Sequence, residues 1–390
     1  MPTKFFFPWL SLERPLNVGP IRLVPYERGL KPVDSLGGTH QVDAILGNYG
    51  DPSTSSRGGY PQPVGRATLV EWLGDAVELD LSDEDIAERL NVGQWITFSA
   101  LACRRYASHV GYCNADDLHF VAQRFDPARP GALGMSTRRR DGSTHNFISK
   151  QGEIPIFLRP HHAQATQIEL DILLIEALLK IEEPDLRDKL LFAISVFNRA
   201  NTDAHGFPET SEVTLMRVAF ETLLGAGHAT KAIHAELAKH FSGELPDPAT
   251  WGSGVYPESV WRRTYPDFTE RPLDAWIQDF CAVRNRSSHG KNPKSKHPAP
   301  VWSIHNHLLL SSWLFPLMVK KILAENGLYQ MSDLDKDRRA GFEEFLAHDV
   351  LAEDADGRLY WNLVEDSLRM GELGRALRKA AAQGGMFQEW

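Results

Sequence analysis

Apolar residues recur along this chain with two different periods. Up to about residue 165 they fall in short runs between Gly, Pro and polar turn residues, as in Ile21-Arg22-Leu23-Val24-Pro25-Tyr26 and Trp95-Ile96-Thr97-Phe98-Ser99-Ala100, and this predicts strands. From about 166 the spacing changes to three and four. Ile168, Ile172, Leu173, Ile175 and Leu179 mark one helix, and Leu186, Leu190, Leu191, Ile194 and Phe197 a second with Pro184 near its start. Leu215, Val218, Ala219 and Leu223 give the apolar face of a third over 212–224. Leu273, Trp276, Ile277, Phe280 and Val283 mark a fourth, and Trp302 to Leu323 a fifth. The change of period divides the chain into an N-terminal β-rich or mixed domain over 1–165, a helical domain over 166–328 and a helical extension over 329–390. Helices are expected in that extension at Asp333–Leu346 and Leu359–Ala382. The predicted fold class is α+β.

Local signals refine this outline. The opening Lys4-Phe5-Phe6-Phe7-Pro8 reads as a buried first strand, and Ser82 as the N-cap of a short helix to Leu90 with acids in its first turn. Gly47–Pro63, rich in Gly, Ser and Pro, predicts a surface loop; Asp141-Gly142 predicts a hairpin turn. The Pro-, Gly- and Trp-containing stretch 242–271 reads as a long connection.

A hydrophobic fraction of 42% with 24% charged residues describes an ordinary soluble globular protein and excludes disorder as the general reading. Three Cys cannot build a disulfide framework, which fits a cytoplasmic, reducing compartment. The N-terminal apolar run is too short and too soon charged for a signal peptide, and no sequence stretch reaches the roughly 18 apolar residues expected of a membrane span. Membrane insertion is not expected. Cys103, His109, Cys113 and His119 follow none of the usual paired-ligand spacings, so a buried thiol and ordinary imidazoles are expected, with no metal and no other cofactor. His161-His162 reads as a partly exposed pair at the domain junction, and Arg138-Arg139-Arg140 as a solvated strand edge. No Gly-rich phosphate loop, dinucleotide fingerprint or nucleophile elbow is present.

Candidate chemistry concentrates at Arg284-Asn285-Arg286-Ser287-Ser288-His289, followed by Gly290. A permanent cation that forks onto phosphate oxygens stands five residues from an imidazole that can exchange a proton near neutral pH, a combination suited to phosphodiester cleavage. On an ideal helix positions 284 and 289 lie about 140° apart. Gly290 predicts that the last turn unwinds and lets His289 return toward the Arg or toward a second subunit. The formal net charge is −9, yet Arg284, Arg286, Lys291, Lys294 and Lys296 cluster with no acid between them, a cationic rim in an acidic molecule.

Arg-Asn-x-x-x-His at the end of an apolar helix, with Gly next, resembles the Arg-x4–6-His signature of the HEPN domain. Asp185–Ile194 and Glu212–Leu224 resemble earlier helices of its ApeA-like branch, and the resemblance covers roughly 166–328. It implies a helical, dimeric, metal-independent ribonuclease of the toxin or antiviral-defence type. It further implies His289 as the proton carrier, Arg284 as the group neutralising charge on phosphorus, and Asn285 as a holder of the phosphate or of the His. Arg286, Lys291 and Lys294 would contact RNA, and a regulatory ligand or protein would act on the N-terminal domain. Glu221 stands where HEPN ribonucleases often carry an accompanying acid; it reads equally as an orienting residue, or as a solvated acid or one paired with Arg217. Some HEPN toxins carry a Tyr two positions after the motif His, where a partner nucleotidyltransferase attaches nucleotides; here that position is Lys291, so this mode of silencing is not expected. The competing reading is a catalytically inactive module that binds RNA or a partner protein.

Overall fold

A computed structural model describes residues 2–30, 39–51, 61–75, 80–106, 111–129, 131–150, 155–159, 167–204, 206–227, 229–241, 264–268, 272–289 and 301–346. The fold is α+β, with an antiparallel sheet toward the N-terminus and helices after it. The chain divides into two compact units: Met1–Arg104 with Val110–Glu182 and Asn201–Gly206, and Arg105–His109 with Glu183–Ala200 and Phe207–Trp390.

The first unit begins with β1 (Thr3–Phe7), β2 (Leu16–Val18) and β3 (Ile21–Glu27), then α1 (Thr39–Leu46), β4 (Tyr49–Asp51), β5 (Gln62–Pro63) and β6 (Arg66–Trp72). It continues with α2 (Asp83–Cys103), β7 (Val121–Phe125), the hairpin β8 (Ala132–Arg138) and β9 (Thr144–Lys150), then β10 (Phe157–Leu158) and α3 (Ile172–Leu179). Seven strands form one antiparallel sheet in the order β2-β3-β6-β1-β7-β8-β9, and three form a small sheet, β10-β4-β5. Strand β1 is central, and its three consecutive phenylalanines are buried on both faces. Phe6 meets Tyr49 edge-on at 5.2 Å, in a core cluster that includes Val42, Ile45 and Leu46 of α1. Phe5 and Phe7 turn the other way onto Phe120.

The hairpin at Asp141-Gly142 forms as expected, with Arg138 opposite Thr144 and the Asp141 carboxylate accepting from the Ser143 amide at 2.9 Å. Ser82 caps α2 in a reciprocal box with Asp85. That helix, however, runs through Trp95–Ala100, which its composition had marked as a strand. Val92 and Gly93, and then Trp95 through Ala102, are all buried, Thr97 and Ser99 included, so the run is buried on every side and its residue types carry no helical period. At Gly93 an added Cβ would lie 2.2 Å from the Phe120 ring; only glycine admits that close approach. The loop expected over 47–63 is strand at both ends, since β4 pairs β5 and Gly50 faces Pro63. Helix α1 has no counterpart among the predicted elements. Helix α3, assigned by its period to the second domain, belongs to the first unit, where it packs on α2 and β2; the boundary expected at 165/166 therefore falls inside that unit.

The second unit is helical: α4 (Pro184–Arg199), α5 (Glu209–Leu224), α6 (Thr230–Phe241), α7 (Pro272–His289), α8 (Ile304–Glu325) and α9 (Asp333–Leu346). Pro184 occupies the first turn of α4, where its missing N–H costs nothing, and Ser303 caps α8. Helix α5 packs on α4, α6, α7 and α8. Phe315 of α8 stacks on Phe197 at 4.5 Å and takes Phe220 edge-on at 5.3 Å, joining three helices through rings. Helix α8 is long and apolar enough to cross a membrane by length and composition, contrary to the sequence expectation, and most of it is buried inside the unit. Helix α9 has the bounds its pattern predicts; the expected helix Leu359–Ala382 and most of 242–271 lie outside the described residues.

Candidate functional site

Two buried polar centres hold α7 in place before it reaches Arg284. The first is Asp279, fully buried on the apolar face between Trp276 and Phe280. Its Oδ1 accepts from the Tyr265 hydroxyl, and its Oδ2 from the backbone N–H groups of Val301 and Trp302 at 2.9 and 3.0 Å and from His307 Nε2 at 3.2 Å. One carboxylate thus ties α7 to the segment before it, the approach to α8 and α8 itself. A carboxyl group so far from water is tolerated because four hydrogen-bonding partners replace its hydration.

The second centre is the pair Arg217–Glu221 on α5. Arg217 Nε donates to Glu221 Oε1 at 2.8 Å, and Arg217 Nη1 crosses to the Cys281 carbonyl on α7 at 3.2 Å. Both side chains are buried. Burial pushes the Cys281 thiol upward, offset by the positive charge of Arg217, by a hydrogen bond to Thr230 and, more weakly, by Arg284.

Arg284 is half-buried, about one turn beyond Cys281. The backbone stays helical through His289, so the unwinding expected ahead of Gly290 does not occur before that residue. The Arg284 and His289 positions keep their separation of about 140° around the axis. Glu221 is buried and paired with Arg217, one of the alternatives its spacing offered, and not solvated. Of the face predicted at Leu215, Val218, Ala219 and Leu223, Ala219 and Leu223 are buried and Leu215 and Val218 half-buried, while Val213, Met216 and Phe220 complete the core side. An i,i+4 ion pair hides this from a count of apolar residues, because each charge makes the other buriable. The side chains of Asn285, Arg286 and His289, and all of Lys291 and Lys294, lie outside the described residues.

The chain matches no protein-family model, no curated protein and no solved structure. Its chemistry is read from its own residues.

Among those, Asp279 escaped the sequence reading, although an acid three positions after Trp276 and one before Phe280 carries a signal: it falls on the buried stripe, where a carboxylate needs partners. Among the described residues no group of three or more His, Cys, Asp or Glu side chains is placed to hold a metal ion. Cys113 is buried and its thiol is pushed up to about 12, first by desolvation. His109, His161 and His162 lie outside the described residues, and Arg139 and Arg140 are exposed beside the β8–β9 turn.

Proposed function

We propose that the chain is an endoribonuclease of the HEPN type, acting as a toxin or anti-phage defence effector, with 284–289 as its active segment. What supports this reading best is the setting of Arg284: a half-buried guanidinium on a helix whose two preceding turns are fixed by Asp279 and Arg217. A cation held in place before the reaction stabilises developing charge without reorganising. In the proposed reaction the 2′-hydroxyl of RNA attacks the adjacent phosphorus and the bond to the 5′-oxygen of the next nucleotide breaks, leaving a 2′,3′-cyclic phosphate and a 5′-hydroxyl. His289 carries the proton, Arg284 meets the charge on the five-coordinate phosphorus, and Asn285 holds the phosphate or the imidazole. Arg286, Lys291 and Lys294 guide the RNA.

Purified protein incubated with total RNA in EDTA is expected to yield those ends and to leave DNA, which lacks the 2′-hydroxyl, intact. Cleavage lost in EDTA and restored by a divalent metal would refute the mechanism.

The separation of about 140° between the Arg284 and His289 positions favours a site shared by two chains, each motif supplying what the other lacks across a twofold axis. Light scattering on the active protein is expected to give twice the monomer mass; a fully active monomer would remove the shared site. The same separation would suit an inactive RNA- or protein-binding module if the chains do not pair.

A further inference from the structure

The first unit contains a cavity of about 830 Å³ whose described lining residues all belong to that unit. Its origin lies in the strand pairing. β7 pairs with β8 at only two positions, Arg124 with Gly134 and Phe125 with Leu133, whereas β8 pairs with β9 at seven. Beyond Arg124 the hairpin parts from the sheet, and the margins of the gap, Val121–Gln123 and Met135–Ser136, line the cavity. Trp9, Tyr49, His119 and Phe157 line it as well, with the Tyr49 hydroxyl donating to Gln123 Oε1 at 3.0 Å. Tyr49 stacks on Phe157 at 4.9 Å, and Trp9 lies 5.8 Å from the His119 ring.

This wall is built from the interior outward. Arg159, almost fully buried, pairs with Asp117 and reaches Asp51 at 3.4 Å. Each member of that triad is two residues from a ring of the wall: Asp51 from Tyr49, Asp117 from His119, Arg159 from Phe157. One guanidinium therefore fixes three separate segments, and the rings they carry are preorganised.

We propose that this cavity binds a neutral, planar aromatic small molecule with a hydrogen-bonding edge, of the size and kind of a nucleoside or similar heterocycle. Three large apolar side chains around it, Ile148, Ile156 and Leu158, are 54%, 38% and 46% exposed, so the lining presents apolar surface that a ligand would cover. Its two charged side chains, Asp83 and Arg124, hold each other at 2.6 Å, and desolvation draws the His119 imidazole toward its neutral form. The lining thus carries no net charge. The strand margins, with Ser136 and Asn146, supply polar contacts for one edge of the ring, and the volume falls within the range of about 300–1,000 Å³ usual for such sites.

The test is independent of RNA cleavage. Adenosine, guanosine and indole, with AMP as the anionic counterpart of the first, would be titrated against the full chain by ligand-observed NMR. At least one neutral ring is expected to bind, with AMP no tighter than adenosine. Ile148→Asp combined with Leu158→Asp is expected to weaken binding at least tenfold; both positions are already exposed, so folding is kept. Phe157→Ala should act in the same direction, while Leu73→Asp, exposed but outside the cavity, should leave binding unchanged. Absence of binding by all three neutral rings, AMP binding tighter than adenosine, or binding that survives the cavity variants would overturn the proposal.

Discussion

Alanine at Arg284 or at His289 is expected to abolish RNA cleavage while leaving the protein folded. A positioned acid–base group contributes a factor of about 10² to 10⁴, so removing the imidazole should lower the rate by that much. Loss of a preorganised donor to the developing charge costs roughly 3–4 kcal/mol, or a factor of about 10² to 10³. Arg284→Lys keeps the charge and loses the planar fork, and should fall between the two. Arg284 is only half-buried, and His289 is read as a reacting group rather than a core one, so thermal stability should stay within about 1 kcal/mol of the parent. Single-turnover cleavage of a defined RNA, read beside a melting curve, separates the two effects. Equal activity in all the proteins would end the nuclease assignment, and an unfolded variant would make that residue a structural one.

The largest effect on stability is expected at Arg217 and Glu221. Removing one partner leaves a buried charge alone, which costs about 3–5 kcal/mol. Against a total stability of about 5–15 kcal/mol that loss is severe. Arg217→Ala should therefore shift the denaturant midpoint far downward, as should Glu221→Ala. The pair replaced together, Arg217→Met with Glu221→Leu, should recover most of the loss, because similar apolar volume removes both desolvation penalties. The same double variant separates the two readings of Glu221. Bound to Arg217 as it is, the carboxylate fits a role in holding α5 to α7, so the refolded double variant is expected to keep cleaving RNA. A folded but inactive protein would instead place Glu221 in the chemistry.

These side chains also mark what the sequence makes legible. Ser82, Pro184 and Asp141-Gly142 act through their immediate neighbours, and each fixes a boundary where local pattern places it. The stripe 273–280 likewise announces a buried helix face, because burial there needs only apolar residues at the right period. Partners remote in sequence are another matter. The interior places of Arg217 and Asp279 depend on Cys281, Tyr265, Val301 and His307, whose proximity only the fold creates. The gap between β7 and β8 is hidden for the same reason, since the residues on either margin are ordinary strand residues. Trp95–Ala100 fails differently: with burial on all sides, helix and strand leave one signature.

The contact of Gly93 with Phe120 bears on descent. A helix glycine is ordinarily open to alanine, which the helix prefers. Here even a methyl group would collide with the ring, so the two sites can change only together or in a fixed order, the ring shrinking first. A lineage that has diverged beyond overall recognition would still carry this dependence, and a small residue in mid-helix coupled to the size of the residue just before β7 would mark common ancestry where similarity along the rest of the chain has been erased.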